Sequence, residues 1–136
     1  RGELRLLGVE DGDLAAATQR VIDALCRVID DPTGRWLLQN HPQAASELPL
    51  TINTATGLEH VRLDRTFVDD TDTRWIIDFK TSAHEGGATT EFLDSEVERY
   101  RPQLERYATA MAAIDDRPTR VGLYFPLLQA FRDWAP

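Results

Sequence analysis

The chain has 136 residues, 42% of them hydrophobic, with 15 basic and 23 acidic side chains and a net charge of −8. This length and composition predict one domain, residues 1–136, with a hydrophobic core and no room for a second domain. The negative charge excludes a coat protein that holds nucleic acid on a broad basic surface, but it permits an enzyme with a local acidic site.

The start of the chain and its cysteine content suggest the setting. The chain begins with Arg1 rather than Met and has no signal peptide or long apolar run, so we expect a soluble piece of a larger protein without membrane contact. The single cysteine, Cys26, falls on the apolar face of a predicted helix and excludes an intrachain disulfide. The simplest interpretation is a reducing, cytoplasmic setting.

The first half of the chain predicts a helix and then a strand. Asp11 or Asp13 can cap a helix that packs through apolar positions spaced by the helical period, until residues 31–34 stop it. Those positions are Leu14, Val21, Ile22, Leu25, Val28 and Ile29. Residues 36–38 form a short apolar anchor, and residues 45–52 read as a strand that Pro49 places at a sheet edge or bulge. Residues 53–57 read as a loop.

An antiparallel hairpin is predicted next. Residues 61–68 alternate with period two, residues 69–72 form a polar turn, and an apolar strand follows up to Ile77. Centring the turn near Thr71 places three pairs of residues opposite each other: Phe67 with Trp75, Leu63 with Phe79, and Asp64 with Asp78.

The chemistry of this hairpin is concentrated in three residues. Asp78 and Lys80 are two apart on a strand and share a face, and Asp64 lies opposite Asp78. Carboxylates so placed have Cβ atoms about 5 Å apart and repel each other, so a cation is expected between them. Mg²⁺ meets that need, with Mn²⁺ possible, and leaves room for a substrate phosphate. Lys80 is the only lysine beside 14 arginines, which suggests a position that arginine cannot fill.

The second half predicts a mobile loop, a helix, a strand and a short terminal helix or turn. The loop, residues 83–90, contains Gly86 and Gly87 and lies next to the proposed site. The helix is predicted to begin near Arg101, with Pro102 in its first turn and Gln103 and Tyr107 one turn apart. A strand over 120–125 and a helix or turn over 127–134 follow.

The remaining candidates have ordinary structural interpretations. His60 lies about 13 Å along the strand from Asp64, too far to bind the same ion, and His41 and His84 fall in a turn and a loop, with His84 the least secure. Several arginines could form a positive rim around the site or could pair with Glu96, Glu98 and Glu105: Arg62, Arg65, Arg99, Arg101 and Arg106.

Three ordered motifs support a resemblance to a known family. Leu63-Asp64-Arg65, Ile77-Asp78-Phe79-Lys80-Thr81 and the segment 100–107 resemble the strand-borne Asp, the D-x-K-T and the Q-x-x-x-Y of RecB-like PD-(D/E)XK nucleases. The likeness is closest to the C-terminal nuclease domain of bacterial RecB/AddA-type (UvrD/Rep-like) helicase-nucleases. It covers most of the chain. A lone D-x-K is weak, whereas three motifs in this order are fairly specific.

The resemblance implies an α/β restriction-endonuclease-like core, a mixed central sheet flanked by helices, here as a fragment lacking the first helix of the family core. It implies that Asp64, Asp78 and the carbonyl of Phe79 bind Mg²⁺, and that Lys80 orients the attacking water and stabilises phosphate charge. The residues that would support the site or the DNA are Gln103, Tyr107, Glu47, Arg65 and Thr81. The family's upstream His ligand has no counterpart before Glu47, so we expect weak metal binding and weak activity from this chain alone. The family's Gly three residues before the first Asp is Val61 here.

Three functions remain open at the level of sequence. The first is a Mg²⁺-dependent DNA nuclease, a hydrolase that works beside helicase domains in DNA end processing and double-strand-break repair. The second is a catalytically inactive DNA-binding or scaffolding module of a helicase complex, and the third is an acidic protein-interaction domain. The acid pair with Lys80 favours the enzyme, because a scaffold has no need for facing carboxylates. Cleavage polarity, exonuclease or endonuclease action, and DNA or RNA preference stay open.

Overall fold

A computed structural model describes residues 11–82 and 89–136. The elements are α1 (Asp11–Asp30), α2 (Pro32–Leu38), β1 (Ala45–Thr54), β2 (Gly57–Val68), β3 (Arg74–Phe79), α3 (Thr89–Ala112), β4 (Thr119–Phe125), a 3₁₀ turn (Pro126–Leu128) and β5 (Ala130–Trp134). The strands form one sheet in the order β1-β2-β3-β4-β5. All neighbours are antiparallel except β3 and β4, which are parallel and are connected through α3. The predicted mixed sheet flanked by helices is confirmed, and β1, which contains Pro49, is an edge strand as expected.

The core lies on both faces of this sheet. Helix α3 covers one face, where Leu104, Tyr107 and Met111 pack with Ile76 and Leu123. On the other face α1 and α2 contribute Val28 and Leu37, which pack with aromatic and aliphatic residues of the strands. Those strand residues are Phe67, Trp75, Ile77 and Tyr124. Helix α3 therefore covers one face, and α1 with α2 covers the other. In the part of the chain described, no helix is long and apolar enough to cross a membrane.

The carboxylate of Asp31 holds the junction between α1 and α2 to the sheet by accepting two hydrogen bonds. The Asp31 carboxylate accepts from the Thr33 N–H at 3.3 Å and so caps α2. Its other oxygen accepts from the Tyr124 hydroxyl of β4 at 2.7 Å. Only glycine fits at position 34, since an added Cβ would lie 2.5 Å from the Val28 carbonyl oxygen and 2.7 Å from the Tyr124 hydroxyl. Asp31, which directly follows α1, is therefore also the N-cap of α2.

The predicted packing of α1 is largely wrong. The helix forms, but of its predicted packing positions only Leu14 and Val28 are buried, whereas Val21, Ile22, Leu25 and Ile29 are exposed. Cys26, predicted on the apolar face of this helix, is exposed as well. Helical period alone marks an apolar stripe about 100° wide and does not tell how much of it another element covers. Here the sheet and α2 cover only its edge.

The second half of the chain needs two further corrections. Helix α3 begins at Thr89 rather than near Arg101, so Pro102 lies inside it, exposed to solvent. Proline removes one helical hydrogen bond, but buried Leu93 before it and Leu104 after it hold both halves against the sheet. The segment 127–134, predicted as a short terminal helix or turn, begins in the 3₁₀ turn but is mostly strand β5. It pairs with β4, where Phe131 packs against Gly122.

The hairpin turn is built around one carboxylate. Asp69 Oδ1 accepts from the N–H groups of Thr71 and Thr73 and from the Thr71 hydroxyl, and its Oδ2 accepts from Trp75 Nε1 at 2.7 Å. Burial opposes ionisation, but the hydrogen bonds from Trp75, Thr71 and Thr73 outweigh it and lower the pKa of Asp69 to about 2. This turn places Phe67 opposite Trp75, which confirms the predicted register.

We therefore predict that Asp69→Ala lowers the free energy of unfolding at pH 7 by about 2 kcal/mol, because its donors lose a charged acceptor. Since the pKa of Asp69 is depressed from 3.8 to about 2, this stabilisation is complete above the unfolded value and is lost as the pH falls through about 2. Urea unfolding at pH 7 and pH 2 measures both effects. Asp70→Ala, in the same turn and exposed, is the control. An equal loss in the two variants would contradict the prediction.

Candidate metal and phosphate site

The candidate site lies where the ladder between β2 and β3 ends. Backbone pairing continues from Val68–Arg74 to Arg65–Ile77 and stops there. At the next position a side chain accepts the hydrogen bond in place of the backbone: Asp64 Oδ2 accepts from the Phe79 N–H at 2.9 Å. A carboxylate has replaced a backbone carbonyl in the sheet, which fixes Asp64 beside β3.

The same point marks a change of face along two neighbouring strands. Leu63 packs on the α3 side of the sheet, whereas Phe79 packs on the opposite side. The predicted pairing of Leu63 with Phe79 is therefore wrong. On β1, Glu47 has φ of 55°, a left-handed conformation that is uncommon outside glycine and lies between the pairs Ser46–Arg65 and Leu48–Leu63. The regular alternation of β1 and β2 breaks beside Asp64, which an argument from strict alternation could not foresee.

Asp78 and Lys80 form a close, half-buried ion pair on the α3 side. Lys80 Nζ lies 2.7 Å from Asp78 Oδ2, and only 19% and 13% of the two side chains are exposed. The same ammonium lies 3.6 Å from the centroid of the Tyr100 ring of α3, a cation–π contact. Its backbone N–H donates to the Tyr124 carbonyl at 2.8 Å, which extends the β3–β4 pairing to Lys80. Lys80 is thus held by a strand, an acid and an aromatic ring.

Asp64 meets the same pair. Burial raises the pKa of Asp64 above its ordinary value, and the hydrogen bond from Phe79 opposes that change. The Asp78 carboxylate raises it further, by repulsion and by accepting a hydrogen bond from the protonated Asp64, while Lys80 lowers it. The expectation that the two aspartates converge, and that one of them has a raised pKa, is confirmed.

The predicted supporting residues fall into two groups. Gln103 Nε2 donates to the Tyr107 hydroxyl at 2.6 Å on the face of α3 that carries Tyr100, so these two residues are linked as expected. Glu47 points outward and pairs with Arg62 at 3.5 Å, both about two-thirds exposed.

The other two supporting residues lie to the side of the carboxylates. Arg65 donates to the carbonyls of Leu37 and Gln39 and to the Ser46 hydroxyl, contacts that tie β2 to α2. Thr81 is exposed and lines a groove against α1. DNA contacts by Arg65 and Thr81 stay predictions.

The arginines and histidines follow their ordinary interpretations where the chain is described. Arg62, Arg101 and Arg106 each pair with a glutamate, at distances between 3.0 and 3.5 Å. His41 is buried, stacks on Phe67 at 4.0 Å and binds the Trp36 carbonyl, so its role is packing. His84 and the predicted loop around it lie largely outside the described residues.

The donor set suits a hard divalent cation. Asp64 and Asp78 supply two carboxylates that repel each other, Phe79 lies next to Asp78 in the chain and offers a carbonyl oxygen, and a cation between the acids would remove their repulsion. Across residues 11–82 and 89–136 no group of three or more His, Cys, Asp or Glu side chains is gathered. Among the described residues, Asp64 and Asp78 are the two carboxylates at this position, and the weak metal binding expected from sequence stays a prediction.

Comparisons with known proteins add no assignment. No family model matches the chain, and no curated protein matches its sequence.

Two residues near the site were not singled out from sequence. Tyr100 has no assigned role in the sequence analysis, yet its ring contacts the Lys80 ammonium. Glu96 was seen only as a partner for arginine, yet one of its carboxylate oxygens is buried without a hydrogen-bond partner. The available signal was their helical spacing: residues 96, 100, 103 and 107 lie on one face of a continuous helix. A helix predicted to begin near Arg101 does not include residues 96 and 100, so their shared face with residues 103 and 107 is not predicted.

We predict that Asp64→Asn raises the free energy of unfolding at pH 7, with EDTA present, by about 1 kcal/mol. The amide oxygen can still accept from the Phe79 N–H, and the amide nitrogen can donate to Asp78. Because the pKa of Asp64 is raised in the folded state, the penalty for ionisation is absent below 3.8, where both states are protonated, and complete above the raised value.

Urea unfolding at pH 7 and at pH 3.5 or below measures the gain, which should shrink at the lower pH. The matched control is Asp70→Asn, an exposed acid on the same hairpin, for which no gain is expected. A destabilised Asp64→Asn at pH 7 would show that this carboxylate is fully compensated without a cation.

Proposed function

We propose that this chain is a Mg²⁺-dependent phosphodiesterase domain that cleaves DNA. The observation that carries the proposal is that Asp64, Asp78 and Lys80 interact with one another at the end of the β2–β3 ladder. Two acids and one ammonium in this arrangement can hold a cation and a phosphate side by side. A packing or interaction surface has no comparable need for repelling carboxylates in a half-buried position.

Asp64 and Asp78, with the carbonyl of Phe79, are the residues that would hold Mg²⁺ or Mn²⁺. Such a cation lowers the pKa of bound water and offsets charge on a phosphate. Contacts within the protein orient both carboxylates without a cation: the Phe79 N–H orients Asp64, and Lys80 orients Asp78. The raised pKa of Asp64 means that the cation competes with a proton, so binding should strengthen as the pH rises.

Lys80 is the residue that we assign to the phosphate and its attacking water. Its ammonium is a point charge with three donors, and the Tyr100 ring limits the directions in which it can move. Gln103 and Tyr107, which are hydrogen-bonded to each other, follow Tyr100 on the same face of α3. Polarity of cleavage does not follow from these residues.

DNA end processing beside a helicase is the setting that the sequence resemblance suggests for this activity. The three ordered motifs that include Asp64, Asp78 and Lys80, and Gln103 with Tyr107, support it. The net charge of −8 makes strong binding of DNA by the isolated chain unfavourable. In this proposal, helicase domains of the same protein or complex supply much of the DNA contact.

A second candidate is a nuclease-like module that has lost catalysis and serves as a DNA-binding or scaffolding part of a helicase complex. One observation favours it: the described residues gather two acids at the site and no third metal ligand. In that case the Asp78–Lys80 ion pair would be a permanent structural contact. Metal titration separates the two candidates, because a scaffold gives no reason for a cation to bind at Asp64 and Asp78.

We predict that Mg²⁺ and Mn²⁺ bind this chain weakly, with dissociation constants on the order of millimolar, and that Asp78→Asn abolishes the binding. Isothermal titration calorimetry measures the affinity of each variant at pH 7.5. Asp70→Asn, which changes the net charge equally on an exposed turn, should bind like the wild type. Equal affinities in Asp78→Asn and the wild type would place any bound cation elsewhere.

For cleavage, we predict that both Lys80→Ala and Lys80→Arg reduce the rate at least about 100-fold with Mn²⁺ and linear DNA. Alanine removes the ammonium, and arginine brings a planar fork that does not fit between Asp78 and the Tyr100 ring. Near-normal cleavage by Lys80→Arg would mean that only its charge matters.

A further inference from the structure

Glu96 of α3 has an unusual environment for an acid. Its side chain is only 12% exposed, and its Oε2 is the one buried side-chain oxygen or nitrogen without a hydrogen-bond partner among the residues described. Its Oε1 lies 4.0 Å from an Arg99 nitrogen, a long contact to a largely exposed side chain. A buried carboxylate oxygen with no partner is costly, so its presence calls for a physical explanation.

The position of Glu96 relates it to Lys80. It precedes Tyr100 by four residues, so the two lie on one face of α3, and helical side chains lean toward the N-terminus of their helix. The Tyr100 ring therefore extends over the turn that contains Glu96. Lys80 Nζ lies 3.6 Å from the centroid of that ring. Glu96 is thus the next carboxylate along the helix face that the ammonium already contacts.

A cation at Asp64 and Asp78 changes the balance around Lys80. In the structure Lys80 Nζ lies 2.7 Å from Asp78 Oδ2, one of the oxygens that would bind the metal. A divalent cation beside Asp78 competes for that carboxylate and repels the ammonium. Lys80 then needs a second counter-charge if it is to stay charged and close to the site.

We propose that Glu96 is a positioning residue for Lys80, and that its free Oε2 accepts the ammonium when a divalent cation occupies Asp64 and Asp78. This inference rests on the proposed function, because it requires a cation at the two aspartates. In this proposal the ammonium stays in contact with the Tyr100 ring as it moves from Asp78 to Glu96. Glu96 thereby makes metal binding less costly without touching the metal.

The main test is a calorimetric Mn²⁺ titration of the wild type, Glu96→Gln, Lys80→Met and the double variant. Glu96→Gln should weaken binding about tenfold, because the ammonium stays on Asp78 and opposes the cation. In the Lys80→Met background, which keeps an apolar stem on Tyr100, Glu96→Gln should have no effect. Glu98→Gln is the control on the same helix, since Glu98 is 72% exposed and pairs with Arg101.

A second measurement uses the fact that Lys80 is the only lysine of the chain. A protein labelled with ¹⁵Nζ-lysine gives one side-chain signal, which reports on Lys80 alone. Without metal, the wild type and Glu96→Gln should give the same signal, since Lys80 pairs with Asp78. With Mg²⁺ the two signals should differ, and the Glu98→Gln signal should follow the wild type.

The outcomes are separable. If the wild type binds Mn²⁺ and Glu96→Gln binds it equally well, this inference is overturned while the proposed function stands. The same holds if Glu96→Gln weakens binding equally in the Lys80→Met background, because Glu96 would then act without Lys80. If the wild type binds no Mn²⁺ at Asp64 and Asp78, the proposed function fails and this inference fails with it.

Discussion

Two carboxylates that meet at the end of a strand ladder are the constraint on which the site depends. Asp64 replaces a backbone acceptor for Phe79 and so cannot turn away from Asp78 without leaving an N–H unpaired. The repulsion is therefore part of the fold, and burial raises the pKa of Asp64 together with it. Lys80 offsets part of the charge. A protein that retains this arrangement sacrifices stability at a place where a cation would restore it.

The surrounding elements provide the rigidity that such a site needs. β3 is buried between β2 and β4, and the Asp69 turn sets its register against β2. α3 crosses the sheet from β3 to the parallel strand β4 and brings Tyr100 over Lys80. Because parallel neighbours require such a crossover, the connection that closes the sheet also forms one wall of the site. The parallel pairing of β3 and β4 thus accounts both for the position of α3 on the sheet and for the contact of Tyr100 with Lys80.

Some of this could be predicted from particular residues. The period-two pattern of residues 61–68 and the polar turn gave the hairpin and its register, since pairing by one residue more or less would expose Phe67 and Trp75. The break beside Asp64 could not be predicted, because it depends on Glu47, in a left-handed conformation on the neighbouring strand. The start of α3 was missed for a similar reason: Pro102 is a local helix breaker, and the buried contacts of Leu93 and Leu104 outweigh it.

The sequence by itself determined the local features: the hairpin, its register around Phe67 and Trp75, and the shared face of Asp78 and Lys80, because backbone geometry alone dictates which side chains of a strand share a face. Tertiary structure decided the rest. It exposed the apolar stripe of α1, made a strand of residues 130–134, placed the Tyr100 ring against Lys80, and buried Glu96 on the same helix. Those outcomes depend on which surfaces of distant elements compete for the same sheet, and burial against a distant partner leaves no local pattern in the chain.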